Sequence, residues 1–192
     1  CFAFDITAEA TARLTITSQA AERVYRTLGP AAEVDITLTA RDEATLLWLP
    51  QETILFDGAA LSRRITAELS PSARFLAVES VILGREAMGE QVAHARLADR
   101  WRIRLGEKLV FADDLAFDGT PPASLATLGE ARAFATVVSI APEAEALLDP
   151  VRAAIGTRGA ASAWTGKLVA RLAARDGFDL RKSLIPALTL LA

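Results

Sequence analysis

Alternation of apolar and polar side chains runs through the first two thirds of this chain and limits what it can fold into. Phe4, Ile6 and Ala8 alternate with Asp5 and Thr7; Ala12, Leu14 and Ile16 with Arg13, Thr15 and Thr17; Val34, Ile36 and Leu38 with Asp35, Thr37 and Thr39. Each run offers one apolar face and one polar face, the period of a half-buried strand. Further strands are predicted over Ala44 to Leu49, Ala60 to Leu69, Arg74 to Leu83, Val92 to Arg104, Lys108 to Phe117 and the β-branched run Phe134 to Ile140. Helical patterns do not alternate with these strands. That argues against a doubly wound α/β fold and for a mostly β sandwich, barrel or solenoid. No strict 20–30-residue repeat marks a regular solenoid.

Three segments are predicted to break the β pattern. Ser18 to Leu28 reads as a short helix or a loop, ended by Gly29-Pro30. Pro142 to Ile155 carries Ala146, Leu147, Val151 and Ile155 on a helical spacing, with Gly156 after its end and Pro150 expected to kink or split it. Asp179 to Leu191 reads as a helix capped by Asp179, with Leu180, Leu184, Leu188 and Leu191 in one stripe. Thr120-Pro121-Pro122 and Gly156 to Gly159 read as loops. No linker divides the 192 residues, so a single domain is expected over 1–192.

Composition removes several classes of function. Hydrophobic residues make up 52 % and charged residues 23 % of the chain, which suits a packed core. The net charge is −3 and no Lys/Arg block stands out, so nucleic-acid binding is not expected. No apolar run approaches the roughly 20 residues that span a bilayer, and the chain shows no signal peptide. The one cysteine, Cys1, cannot form an internal disulfide, which suits a reducing cytosol.

Catalytic signatures are missing too. His94 is the only histidine, too few for a tight His-rich nickel or zinc site within one chain; it reads as a strand-surface residue or a weak, shared metal contact. There is no Gly-x-Ser-x-Gly elbow, phosphate loop or Gly-x-Gly-x-x-Gly fingerprint. Carboxylates are plentiful: Glu52, Asp57, Glu79, Glu90, Asp99, Asp113, Asp114 and Asp118. Most of these are expected to face water. Two of them could pair as in a glycosidase, or several could pass a cation along weakly without trapping it.

Two stretches carry more information. Leu83-Gly84-Arg85-Glu86-Ala87-Met88-Gly89-Glu90 is a charged turn in which Gly84 and Gly89 frame the only methionine. Such a turn reads better as a docking surface than as an active site. In Trp48-Leu49-Pro50-Gln51-Glu52-Thr53-Ile54-Leu55-Phe56-Asp57-Gly58-Ala59, Pro50 is expected to end a strand and Phe56-Asp57-Gly58-Ala59 to turn, with Trp48 and Phe56 as core anchors. The candidate partner-binding residues are therefore Gly84, Arg85, Met88, Gly89 and Glu90, with Glu52 and Asp57 as weaker candidates.

Taken together these two stretches resemble the UreD family of urease accessory proteins, called UreH in some systems. Ile16 to Arg26, Asp99-Arg100-Trp101-Arg102-Ile103 and Gly166 to Leu172 resemble further family segments in the same order. The resemblance implies a β-helix-like, two-layer β architecture with two or three short helices near the C-terminal half. It implies a cytoplasmic, non-enzymatic scaffold that binds urease apoprotein, a UreF-like accessory protein and, through that complex, a UreG-like GTPase. No tightly bound cofactor is implied, only transient passage of Ni²⁺. Because the chain starts without Met and close to the strand-like run Phe2 to Thr7, an upstream segment is expected to be missing; family members carry a Gly-Gly-Asp stretch there. The rival readings are a β-helical carbohydrate hydrolase or lyase using a carboxylate pair, and a β-rich interaction module unrelated to nickel.

Overall fold

The structure is a computed structural model that describes residues 1–85, 88–124 and 127–192. Its strands are β1 (Phe2–Ala8), β2 (Arg13–Ile16), β3 (Glu22–Val24), β4 (Ala32–Ala40), β5 (Thr45–Trp48), β6 (Thr53–Leu55), β7 (Ala60–Leu69), β8 (Arg74–Leu83), β9 (Ala95–Leu105), β10 (Lys108–Gly119), β11 (Ala133–Ile140), β12 (Gly159–Trp164) and β13 (Lys167–Ala174). Two α-helices follow the β region: α1 (Leu148–Ile155) and α2 (Gly177–Leu191).

From β1 to β9 the chain winds as a flattened coil. One sheet has the order β1-β4-β7-β9-β10, parallel except for the final antiparallel β10. The other runs β12-β13-β11-β8-β5-β2, with β3 and β6 continuing the lines of β2 and β5 along the far half of β8. Each turn contributes one strand to each sheet, which is the β-helix-like, two-layer arrangement the family resemblance implied. Phe2, Val34, Arg63 and Asp99 stack in register on successive turns. The turns are of unequal length, about thirty residues each, which hides the repeat from a fixed-period search.

Alternation places the core. Val34, Ile36, Leu38 and Ala40 of β4 face inward and are buried, as are Ile65 and Ala67 of β7 and Trp101 and Ile103 of β9. A second apolar layer lies outside the β8–β11–β13 sheet. There Leu76, Val78, Val137, Leu168 and Ala170 pack against Val151 and Ile155 of α1 and Leu180, Leu184 and Ala187 of α2. Each such large side chain contributes roughly 1.5–3 kcal/mol of burial. This sheet is therefore covered on both faces, which explains why every residue of β11 is buried rather than every second one.

Several local expectations change. Ser18 to Leu28 contains no helix: Glu22–Val24 pairs in parallel with Thr53–Leu55, Arg26 bridges to Ala59, and Val24 is buried. Pairing with the next turn satisfies backbone groups that a helix lacking an apolar stripe could not bury usefully. The segment after Pro142 does split, into a 3₁₀ turn over Ala144–Leu147 followed by α1. Pro150 falls in the first turn of α1, where its missing N–H has no helical acceptor to satisfy. α2 starts before Asp179: the Asp176 carboxylate accepts from the Asp179 amide at 2.7 Å and is the cap.

The hairpin β12–β13 went unread. Its Ala-rich first strand has little β propensity, and the Gly156 to Gly159 stretch read as a loop is a 3₁₀ turn leading into it. Gly159 is required there, because a Cβ on it would sit 2.2 Å from the Arg171 carbonyl oxygen. No helix of the described residues is long and apolar enough to cross a membrane.

Candidate functional site

The turn after β8 forms one corner of the coil, and its Glu90 carboxylate fixes backbone. The Gly84 amide donates to the Leu55 carbonyl at 2.7 Å, which ties the turn to β6. Gly84 has φ +74°, and a Cβ there would crowd Val92 and the Glu90 carbonyl at 3.1 and 3.2 Å. The Glu90 carboxylate accepts from the Arg85 amide at 3.0 Å, Arg85 Nε at 2.9 Å and the Asp57 amide at 3.3 Å. Its hydrogen bond with Arg85 holds its pKa below the ordinary carboxylate value. The Asp57 carboxylate accepts from the Ala93 and His94 amides at 2.8 and 3.0 Å, and these bonds, His94 first, lower its pKa as well.

Aromatic groups complete the corner. The Arg85 guanidinium lies 4.5 Å from the centre of the Phe56 ring, and Tyr25 packs edge-on to Phe56 at 4.9 Å. Phe56 is buried, whereas Tyr25 is 62 % and Met88 74 % exposed. The structure thus brings Asp57, Gly84, Arg85, Met88, Gly89 and Glu90 to one place. Glu86 and Ala87 of the same stretch lie outside the described residues. Sequence reasoning missed Tyr25, which directly follows β3, and Arg132, whose guanidinium donates to the Leu83 and Glu90 carbonyls. His94 is exposed and enters through its backbone alone.

Glu52 is not part of this corner. Its buried carboxylate receives Nε and Nη2 of Arg181 from α2, the second at 2.8 Å, and Arg181 also donates to the Gln51 side chain. Burial, the largest single cause, would raise the Glu52 pKa; the Arg181 hydrogen bonds, a backbone hydrogen bond and the Arg181 charge together outweigh it and hold the group low. The Leu-Pro-Gln-Glu stretch is therefore the break between β5 and β6, pinned from outside by the last helix.

A second polar group lies inside the coil. Arg63 is 2 % exposed and forks onto Asp99, with Nε–Oδ1 at 3.2 Å and Nη2–Oδ2 at 2.6 Å. Its Nη1 donates to Thr53 Oγ1 at 3.2 Å and to Glu79, and Glu79 also accepts from Trp48 Nε1 at 2.8 Å. Thr53 in turn donates to Glu22 at 3.3 Å. Burial is the main cause that pushes the Glu79 carboxyl up to about 7, against the pull of Arg63. The cluster borders a cavity of about 210 Å³ lined also by Phe4, Ile16, Pro50 and Gln51. Because the Arg63 guanidinium bonds both carboxylates, it fills the gap that a sugar ring or a bound cation would need. A larger open cleft of about 980 Å³ lies between β10 and the β11–β13 face, with Phe134 and Leu172 among its lining residues and Arg158, Arg171, Asp114 and Glu130 supplying its charge. Among the described residues, no three His, Cys, Asp or Glu side chains are grouped as metal ligands.

Comparison with known proteins bears on the whole chain. A protein named urease accessory protein UreD from Agrobacterium fabrum is 50 % identical over 188 residues, covering 96 % of this chain and 66 % of its own length. Proteins of the same name from Rhizobium leguminosarum bv. viciae and Methylobacterium sp. are 48 % and 45 % identical, covering 98 % and 90 % of this chain and 70 % and 65 % of their own lengths. The chain thus spans about two thirds of these relatives. The family model described as UreD urease accessory protein matches residues 1–192, and with these relatives it shows that the chain belongs to the UreD family.

Proposed function

We propose that this chain is a non-catalytic scaffold in urease maturation, working in the cytoplasm. It binds urease apoprotein and a UreF-like accessory protein, and through that complex meets a UreG-like GTPase that brings Ni²⁺. Nickel is cargo here, passed on and not retained. The observation that carries this reading is the pre-built corner around Arg85. Its carboxylates fix the backbone, and its exposed groups are Tyr25, Met88 and a guanidinium stacked on Phe56, which are side chains suited to a protein partner. The rival reading as a carbohydrate hydrolase or lyase needs two carboxylates open to a cleft, and the buried pair Glu79 and Asp99 is bridged by Arg63 instead.

The test is co-expression of the chain with urease apoprotein and the UreF-like protein, followed by pull-down. Co-purification, with nickel-dependent urease activation once the GTPase is added, is the expected result. Charge reversal at Arg85 and Glu90 together is expected to abolish capture while the domain stays folded. If the double variant still captures both partners, the corner is structural only. If the unaltered, folded chain captures neither, the scaffold reading itself fails.

A further inference from the structure

The Leu49-Pro50-Gln51-Glu52 segment is held by clips on both sides. Just before it, Trp48 donates to Glu79; just after it, Thr53 accepts from Arg63, and Arg63 also holds Glu79. Along its length the Gln51 amide donates to Ser18 Oγ at 2.9 Å, and the Glu52 carbonyl accepts from the Glu22 amide at 2.9 Å. On the far side Arg181 grips Gln51 and Glu52. Pro50 and Gln51 line the 210 Å³ cavity together with Trp48, Thr53, Arg63 and Glu79. The segment thus borders the cavity through Pro50 and Gln51 and meets α2 through Arg181.

We propose that Leu49–Glu52 is a proton-operated strap over this cavity, with the Glu79 carboxyl as its sensor. The charge balance makes this work. Facing Glu79 are Arg63 from β7, Asp99 from β9 and Glu22 from β3, with neutral Trp48, Thr53 and the neighbouring Thr136 of β11. Arg63 is shared between two carboxylates, so an ionised Glu79 leaves one buried negative charge uncompensated at the cavity wall. Burial, with the charges of Asp99 and Glu22 pushing the same way, keeps this carboxyl protonated up to about 7. When the strap lifts, water reaches Glu79 and its pKa falls toward the ordinary 4.5. Opening therefore releases a proton. The closed strap dominates on the acid side, and opening grows as pH rises from 4.5 to about 7, then levels off. That interval allows a change in the opening equilibrium on the order of a hundred-fold. The device is independent of the urease reading, and its test uses the chain alone.

The test is NMR on the full chain. The Glu79 carboxyl carbon is titrated, and the protection of the Trp48 indole N–H is measured from pH 5 to 8 against a free indole at each pH. The expected result is a Glu79 midpoint near 7 and Trp48 protection that falls on the order of a hundred-fold with rising pH. Trp101, buried in the same core, keeps constant protection. Glu79→Gln cannot titrate and keeps one acceptor oxygen, enough for the Trp48 indole N–H while the Arg63 bond is given up, and is expected to hold Trp48 protection flat with pH. Arg181→Met removes the outer clip and is expected to lower protection at every pH with the slope retained. The proposal is overturned if Glu79 titrates in the ordinary carboxylate range, if Trp48 and Trp101 lose protection in parallel, or if Glu79→Gln retains the slope. Should Glu79→Gln fail to fold, the Glu79 midpoint and the Arg181→Met slope decide the matter.

Discussion

Replacing Arg63 by methionine removes the one cation that the interior cluster contains. Arg63 is 2 % exposed, and its partners Glu79 and Asp99 are 4 % and 9 % exposed at the side chain. Solvent cannot take over its role. Breaking a buried ion pair by removing one partner costs about 3–5 kcal/mol, because the remaining charge stays buried without compensation. Asp99 loses both bonds of the fork, whereas Glu79 keeps Trp48 and holds a proton up to about 7, so one orphaned carboxylate sets the loss within that range. In a domain of this size 1 kcal/mol shifts the melting temperature by roughly 2–4 °C, so Arg63→Met should melt about 6–20 °C lower. The control separates charge from packing. Adding Asp99→Asn removes the orphaned charge, Glu79→Gln keeps the neighbouring carboxyl from ionising, and together they are expected to recover more than half of the loss. The assay is urea unfolding followed by circular dichroism, with midpoint and slope compared across the three proteins. A loss below 1 kcal/mol for Arg63→Met, or a triple variant no more stable than the single one, would refute the argument that uncompensated charge is what the guanidinium prevents.

Other expectations test the frame around the site. Gly159→Ala should cost several kcal/mol or prevent folding, since its Cβ would lie 2.2 Å from a β13 carbonyl; thermal unfolding measures this. Asp176→Ala should destabilise α2 by about 1 kcal/mol, read by the same method, while Asp179→Ala should leave the cap bond to the 179 amide intact. Glu90 has a folded pKa below its ordinary 4.5, so its grip on Arg85 is fully present above 4.5 and is lost as pH falls through the lower folded value. Faster hydrogen exchange of the Arg85 amide than of β8 amides below that pH is the expected signature.

How far the sequence reveals this arrangement depends on how local each cause is. β4 could be read because Val34, Ile36 and Leu38 bury one face while Asp35, Thr37 and Thr39 stay outside. The Arg85 corner was partly legible because its backbone clips lie within two short stretches. Tyr25 and Arg181 were not, because only the winding of the coil brings them in; Arg181 reaches Glu52 across 129 residues. The interior cluster did leave a signal. Arg63 stands in phase with Leu61, Ile65 and Ala67 on the buried face, and Asp99 with Leu97, Trp101 and Ile103. Charges in phase with an apolar stripe, in segments one turn apart, are what a buried ion pair requires. The β12 strand left no such trace, since Gly159-Ala160-Ala161-Ser162-Ala163 owes its form to the neighbouring strand rather than to its own side chains.

The corner also predicts how a partner is recognised. Glu90 and Asp57 already accept the bonds of five groups, four amides and the Arg85 guanidinium, so little of their charge is left to attract another protein. The exposed groups are Tyr25, Met88 and the outer face of Arg85 over Phe56. Affinity should therefore come from desolvating these side chains, not from long-range charge. Raising salt from 0.05 to 0.5 M shortens the screening length several-fold, yet the dissociation constant measured by interferometry should change by less than about threefold. Tyr25→Ala and Met88→Ala should each weaken binding by about tenfold or more, the cost of truncating a hot-spot side chain. Charge removal at exposed Arg23 should do little. A strong loss of affinity with salt, together with a tolerant Tyr25→Ala, would mean that the partner reads charge elsewhere and that the stacked corner serves only to close the coil.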